Sequence, residues 1–132
     1  KYISDKDVEI EFNPQKNLPQ IRIVKDQIHQ ALVNILMNAT DAMHEDRGKI
    51  SITTLQRDNQ VLASIEDTGC GIAAEELEHI FEPFFSTKAE VEGTGLGLYV
   101  SYMITKKHNG EILVESEKGI GSIFTVSLPI EA

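Results

Sequence analysis

The 132-residue chain has no tryptophan, one cysteine, few aromatics and few cations, and each shortage excludes something. Cys70 alone builds neither a disulfide framework nor a cysteine-rich zinc site. Without Trp, and with three Tyr and five Phe, there is no stacking platform of the kind single-strand binders use. Twelve Lys and Arg against 21 Asp and Glu leave a net charge of −9. Nucleic acid backbones and anionic membrane surfaces repel such a chain. No apolar run approaches the length of a membrane span or a signal peptide. We therefore expect no nucleic acid partner, no direct membrane contact and a reducing, cytoplasmic setting.

What is present is ordinary globular composition: 41% hydrophobic and 25% charged residues. The length fits one domain of roughly 100–200 residues, large enough to hide about two-thirds of its extended surface in a core. No repeat, low-complexity tract or linker divides it, so residues 1–132 read as one unit. The chain opens at Lys1 without Met, so it is expected to be a fragment.

Val8, Ile10 and Phe12 alternate with Glu9 and Glu11, a half-buried strand ended by Asn13-Pro14. Ile21 to Val24 either completes a small strand or leads into a helix. From Lys25 to about His44, Ile28, Leu32, Ile35, Leu36, Ala39 and Met43 recur at helical spacing, with Gly48 beyond the end. Ile50-Ile52-Thr54 and Val61-Ala63-Ile65 are alternating strands joined by a hairpin at Arg57 to Gln60. A short helix from Ala73 to Ile80 precedes a glycine-containing loop, Phe84 to Gly95. A helix from Leu96 to Lys107 follows, closed by Asn109-Gly110. Strands Glu111 to Glu117 and Ser122 to Leu128 finish the chain. The fold class expected is α+β: a two-layer sandwich, with a mixed sheet of about five strands and about three helices on one face.

Five stretches carry possible chemistry. Asn34 and Asn38 are four apart and share a helix face. Asn is a mediocre helix former, so two in an apolar helix either point to solvent or form a polar stripe that meets a ligand. An Asn carbonyl is a hard neutral oxygen, suited to magnesium that already carries phosphates and water. Next, Asp67-Thr68-Gly69-Cys70-Gly71-Ile72 follows a strand. It is either an ordinary turn or a site where Asp67 accepts a hydrogen bond from an exocyclic amine such as adenine's. Guanine offers a carbonyl at that edge and would be repelled. The aromatics of Phe81 to Phe85 either plug the core or border a site. Gly93, Gly95 and Gly97 run into a helix, where bared amides and the positive helix end suit phosphates. No Gly-Lys-Ser/Thr follows, so this is not a P-loop, and it departs from the dinucleotide fingerprint at Leu98. Last, Gly119-Ile120-Gly121-Ser122 reads as a hairpin turn, with Phe124, Val126 and Leu128 on a core face.

In their order, these stretches strongly resemble the catalytic, ATP-binding domain of two-component sensor histidine kinases, relatives of gyrase, the Hsp90 chaperone and MutL. The resemblance runs from about Val8 to Pro129. His29 to Met43 is similar to the asparagine motif, Asp67 to Gly71 to the first glycine motif, and Phe81 to Lys88 to the phenylalanine motif. Gly93 to Leu98 and Gly119 to Ser122 are similar to the later glycine motifs. The resemblance implies ATP and Mg2+ as cofactors. Asn38 would bind the metal, and Asn34 would hold it or the phosphates. Asp67 would read adenine, with Gly69, Gly71 and Ile72 passing beside the base, Phe81 bordering the nucleotide and Ser122 assisting, through water. Gly93, Thr94, Gly95, Leu96, Gly97 and Leu98 would seat phosphates. Ser86 to Gly93 would form a short lid. Lys88 is the candidate cation, or else a solvated loop lysine.

The superfamily's ATPases carry a catalytic Glu where this chain has Asn34. An amide draws no proton from water, and Gln30 one turn earlier is no base either. Water attack should therefore be slow, and the resemblance implies that the γ-phosphate passes to a histidine nitrogen, nucleophilic when neutral, and then to a response-regulator aspartate. In that reading Asn34 and Lys88 are the catalytic pair. The acceptor histidine would lie on dimerisation helices that this chain lacks, so the isolated domain should be a monomer without a substrate. His29, His44, His79 and His108 lack the acceptor context. Asp41 stands where many relatives carry Lys or Arg, which, with the short lid, is similar to the nitrogen-regulation class. The alternatives are a degenerate nucleotide-binding regulatory module, or an ATPase or serine kinase of the same superfamily.

Overall fold

The computed structural model describes residues 7–43, 47–85 and 96–130. Strand β1 (Asp7–Pro14) precedes helix α1 (Lys25–Asp41), the hairpin β2 (Arg47–Arg57) and β3 (Gln60–Asp67), and short helix α2 (Ala74–Leu77). Helix α3 (Gly97–Lys107) and the hairpin β4 (Glu111–Glu117) and β5 (Gly121–Pro129) complete the described elements. The five strands run in the order β1-β2-β3-β5-β4, with β1 parallel to β2 and every other pair antiparallel. The expected mixed sheet and α+β class are present.

The register sorts the side chains, because alternate residues of a strand point to opposite faces. Ile52, Ile65, Phe124 and Val114 form one rank across four strands. Thr54, Ala63, Val126 and Ile112 form the next. This face carries the core, with Ile50, Ile65, Phe124, Val126 and Leu128 all buried. Helix α1 covers it with a stripe of Ile28, Ala31, Ile35 and Ala39. Helix α3 lies beside α1, where small residues allow close approach: the buried Ser101 hydroxyl donates to the Ala31 carbonyl at 2.8 Å. On the outer face Lys49 pairs with Glu11 at 2.8 Å, which lowers the carboxyl pKa and raises that of the amine.

Several boundaries differ from expectation for local reasons. Ile21 to Val24 is not a strand, and Val24 caps α1. The Val24 N–H donates to His108 Nε2 at 3.0 Å, which ties the start of α1 to the end of α3. Helix α1 stops at Asp41 with Ala42 as its cap, and Gly48 belongs to β2 instead. His44 lies outside the described residues. Phe12 is 60% exposed, because β1 is an edge strand with a neighbour on one side only. Helix α2 is one turn long, and further turns carry the chain on to Phe85. Helix α3 ends at Lys107 and is closed as expected by Asn109-Gly110, where the Asn109 φ of 64° and the Gly110 N–H bond to the Thr105 carbonyl make a Schellman closure. Among the described residues no helix is long and apolar enough to cross a membrane.

Candidate functional site

The end of β3 forms the floor of the site. Asp67 is paired in register with Ile50 on one side and Ser122 on the other, and Ser122 with Ser116. A rank that is apolar one step away thus turns polar here. Asp67 is only 3% exposed, and its Oδ1 accepts the Gly69 N–H at 2.8 Å. Ser122 is buried too. A carboxylate so placed faces the helix layer rather than solvent, which an ordinary surface turn does not require.

The loop after Asp67 is stitched down on three sides. The Thr68 N–H donates to the Lys49 carbonyl and Thr68 Oγ1 accepts the Lys49 N–H at 3.0 Å, both toward β2. The Cys70 N–H donates to the Ala42 carbonyl at the end of α1, at 3.0 Å. The Cys70 carbonyl accepts the Gly119 N–H at 2.7 Å, and the Ile72 N–H donates to Ser116 Oγ at 2.7 Å. These approaches explain the glycines. A Cβ on Gly69 would overlap Ala42, and one on Gly71, whose φ is +72°, would overlap the backbone of Glu117 and Lys118. The bared backbone here makes room for neighbouring protein chain.

Helix α1 supplies the wall. Gln30, Asn34 and Asn38 are spaced four apart and line one face. Gln30 Nε2 donates to Asn34 Oδ1 at 2.9 Å, while Asn34 Nδ2 donates to the Gly97 carbonyl at 3.1 Å. Asn34 thereby fixes the first turn of α3, whose leading N–H groups have no partners within the helix and carry its positive end. Asn38, half-buried, lies one turn further along α1, toward the Asp67 loop. Leu96 caps α3 and Leu98 packs on the core. The predicted residues Lys88, Gly93, Thr94 and Gly95, with the rest of the lid, lie outside the described residues.

The aromatic cluster divides. Phe81 stacks on Tyr102 at 5.7 Å between ring centroids and meets Phe124 edge-on at 6.3 Å, so its ring is engaged in the core. Phe85 is half-buried, and Phe84 is 73% exposed at a φ of +69°. Beside Phe85, His79 Nδ1 contacts the Glu82 carboxylate at 2.8 Å. That hydrogen bond, then the carboxylate's charge, raises the imidazole pKa. The folded state thus favours the protonated ring, a gain present below the ordinary imidazole pKa and lost as pH rises through the elevated one. An NMR titration should place the His79 midpoint above that of a free imidazole, and Glu82→Gln should bring it down.

Sequence reasoning missed Ser116 and the structural part of Gln30. The signal for Ser116 was available: it continues the inward alternation of Ile112 and Val114, and so puts a hydroxyl where a core residue belongs. Among the described residues no group of three His, Cys, Asp or Glu is arranged to hold a metal.

Comparison with known proteins agrees with the fold. The model for histidine kinase-, DNA gyrase B- and HSP90-like ATPases matches residues 23–132. Sensor histidine kinase ZraS of Escherichia coli (strain K12) is 41% identical over 127 residues, covering 96% of this chain and 27% of that kinase. The chain thus spans about a quarter of that relative's length. The nucleotide-free catalytic domain of histidine kinase ThkA superposes with a TM-score of 0.81 at 33% identity, covering 93% of this chain and 79% of that one. Full-length ShkA in complex with AMPPNP gives a TM-score of 0.83 at 29% identity, covering 95% of this chain and 26% of ShkA. Sheet order, site and similarity together make the chain a member of the histidine kinase-, DNA gyrase B- and HSP90-like ATPase family, built as the ATP-binding domain of a sensor histidine kinase.

Proposed function

We propose that this domain binds Mg-ATP and donates the γ-phosphate to a histidine on separate dimerisation helices, from which it passes to a response-regulator aspartate. The observation that carries the reading is the convergence of a buried acidic strand end with a polar helix stripe and the N-terminus of α3. Asp67 accepts from the purine's 6-amino group, and Ser122 sits beside it. Asn38 offers one neutral oxygen to the metal, and the leading amides of α3 hold the phosphates. The metal would neutralise phosphate charge and orient the terminal group. Asn34 spends its amide on Gln30 and Gly97 and has no basic form at neutral pH, so it takes no proton from an attacking water. Phosphate is thereby kept for an acceptor that is nucleophilic without a base, a neutral imidazole nitrogen. ATP as donor sets the domain in the cytoplasm.

Calorimetric titration with ATP, ADP and GTP, with and without magnesium, tests the binding step. Radiolabelled ATP mixed with a two-helix acceptor fragment tests transfer. Binding without any label transfer would favour a regulatory nucleotide module, and rapid phosphate release without an acceptor would favour an ATPase. Asn38→Ala should weaken Mg-ATP binding by about tenfold, of the order of one lost hydrogen bond to a charged group, and should shrink the benefit of adding magnesium. Equal affinities with and without magnesium in the parent protein would remove Asn38 from the metal.

A further inference from the structure

Ser116 makes three polar contacts that together determine where the proton of Ser122 lies. Its Oγ accepts the Ile72 N–H at 2.7 Å and lies 3.1 Å from the Gly121 carbonyl and 2.7 Å from Ser122 Oγ. A carbonyl only accepts, so the single Ser116 proton goes to Gly121. The contact between the two hydroxyls then needs the Ser122 proton, donated to Ser116. With its proton used sideways, Ser122 Oγ can only accept from anything else. It stands directly across the β3–β5 pair from Asp67, a carboxylate, on the same face of the sheet.

We propose that Ser116 is a positioning residue that sets purine specificity, by locking the Ser122 hydroxyl as a second acceptor beside Asp67. The inference rests on the ATP-binding reading and deepens it. Two neighbouring acceptors favour a ring edge that donates, the 6-amino group of adenine, directly or through one water. They disfavour a ring with a 6-carbonyl, which needs a donor. If Ser116 lost its hydroxyl, Ser122 would rotate freely and could donate to that carbonyl. The energetic currency is one neutral hydrogen bond whose sense has been reversed.

The test is calorimetric titration with Mg-ATP and Mg-ITP of the parent, Ser116→Ala, Ser122→Ala and the double variant. The parent should prefer ATP. Ser116→Ala should lower the ATP-over-ITP preference by about three- to tenfold, the scale of one such bond. On the Ser122→Ala background the same change should leave the preference unaltered, because no hydroxyl remains to orient. A merely structural part for Ser116, through its hold on Ile72, would weaken both nucleotides alike, and that result overturns the proposal. So does an equal change in preference on both backgrounds. If circular dichroism shows Ser116→Ala unfolded, Ser116→Cys, similar in size and a weak hydrogen-bonding group, replaces it with the same two outcomes. Failure of the parent to bind ATP at all would overturn the functional reading itself. A parent that prefers ATP, with variants that do not shift the preference, overturns only the assignment to Ser116.

Discussion

Asp67→Ala is expected to weaken Mg-ATP binding by roughly ten- to a hundredfold, because a hydrogen bond to a charged group contributes about 1.5–3 kcal/mol. The loss should be concentrated in adenine nucleotides, leaving GTP nearly as weak as before, so selectivity collapses. The substitution also removes the acceptor of the Gly69 N–H, and some loss of stability will accompany it. Asp67→Asn separates the two effects. Its carbonyl can still accept from Gly69, while its amide presents donors to the ring. That variant should stay folded and shift its preference toward GTP and ITP. ATP affinity unchanged by either substitution would remove Asp67 from the base site and with it the functional reading.

Gly71→Ala is expected to cost more stability than any other single methyl group added in this loop. At a φ of +72° a side chain carries about 1–2 kcal/mol of backbone strain. The added carbon would also overlap the Glu117 carbonyl, so the loop must lift from the turn between β4 and β5. That turn is held to the loop by the Gly119 N–H bond to Cys70 and the Ile72 N–H bond to Ser116, which would be lost together. Gly119→Ala is the control, since φ is +88° there but nothing lies within 4 Å of the added carbon. Denaturant unfolding should show Gly71→Ala the more destabilised of the two by about 2 kcal/mol or more, the usual scale of backbone clashes and lost hydrogen bonds. Equal costs would mean that strain, and not close approach, dictates glycine at position 71.

Much of this protein was legible as a pattern. Alternation in Val8 to Phe12, Ile50 to Thr54 and Val61 to Ile65, and helical spacing from Ile28 to Ala39, are local properties, because burial of one face repeats at a fixed period along an element. The order of the asparagine, aspartate and glycine stretches likewise pointed to a nucleotide site before any strand was paired. Local periodicity says nothing about which strands meet. Only the tertiary structure set β5 beside β3, made β1 parallel to β2, and so aligned Asp67 with Ser122 and Ser116 in one rank, since these pairings join residues far apart in the sequence, such as Asp7 with Arg47 and Asp67 with Ser122. It also divided the three phenylalanines between core and solvent, and gave Gly69 and Gly71 neighbours from distant segments that forbid a side chain. Residue type and spacing therefore determined the chemistry on offer. Long-range packing decided which of those groups stand close enough to act together.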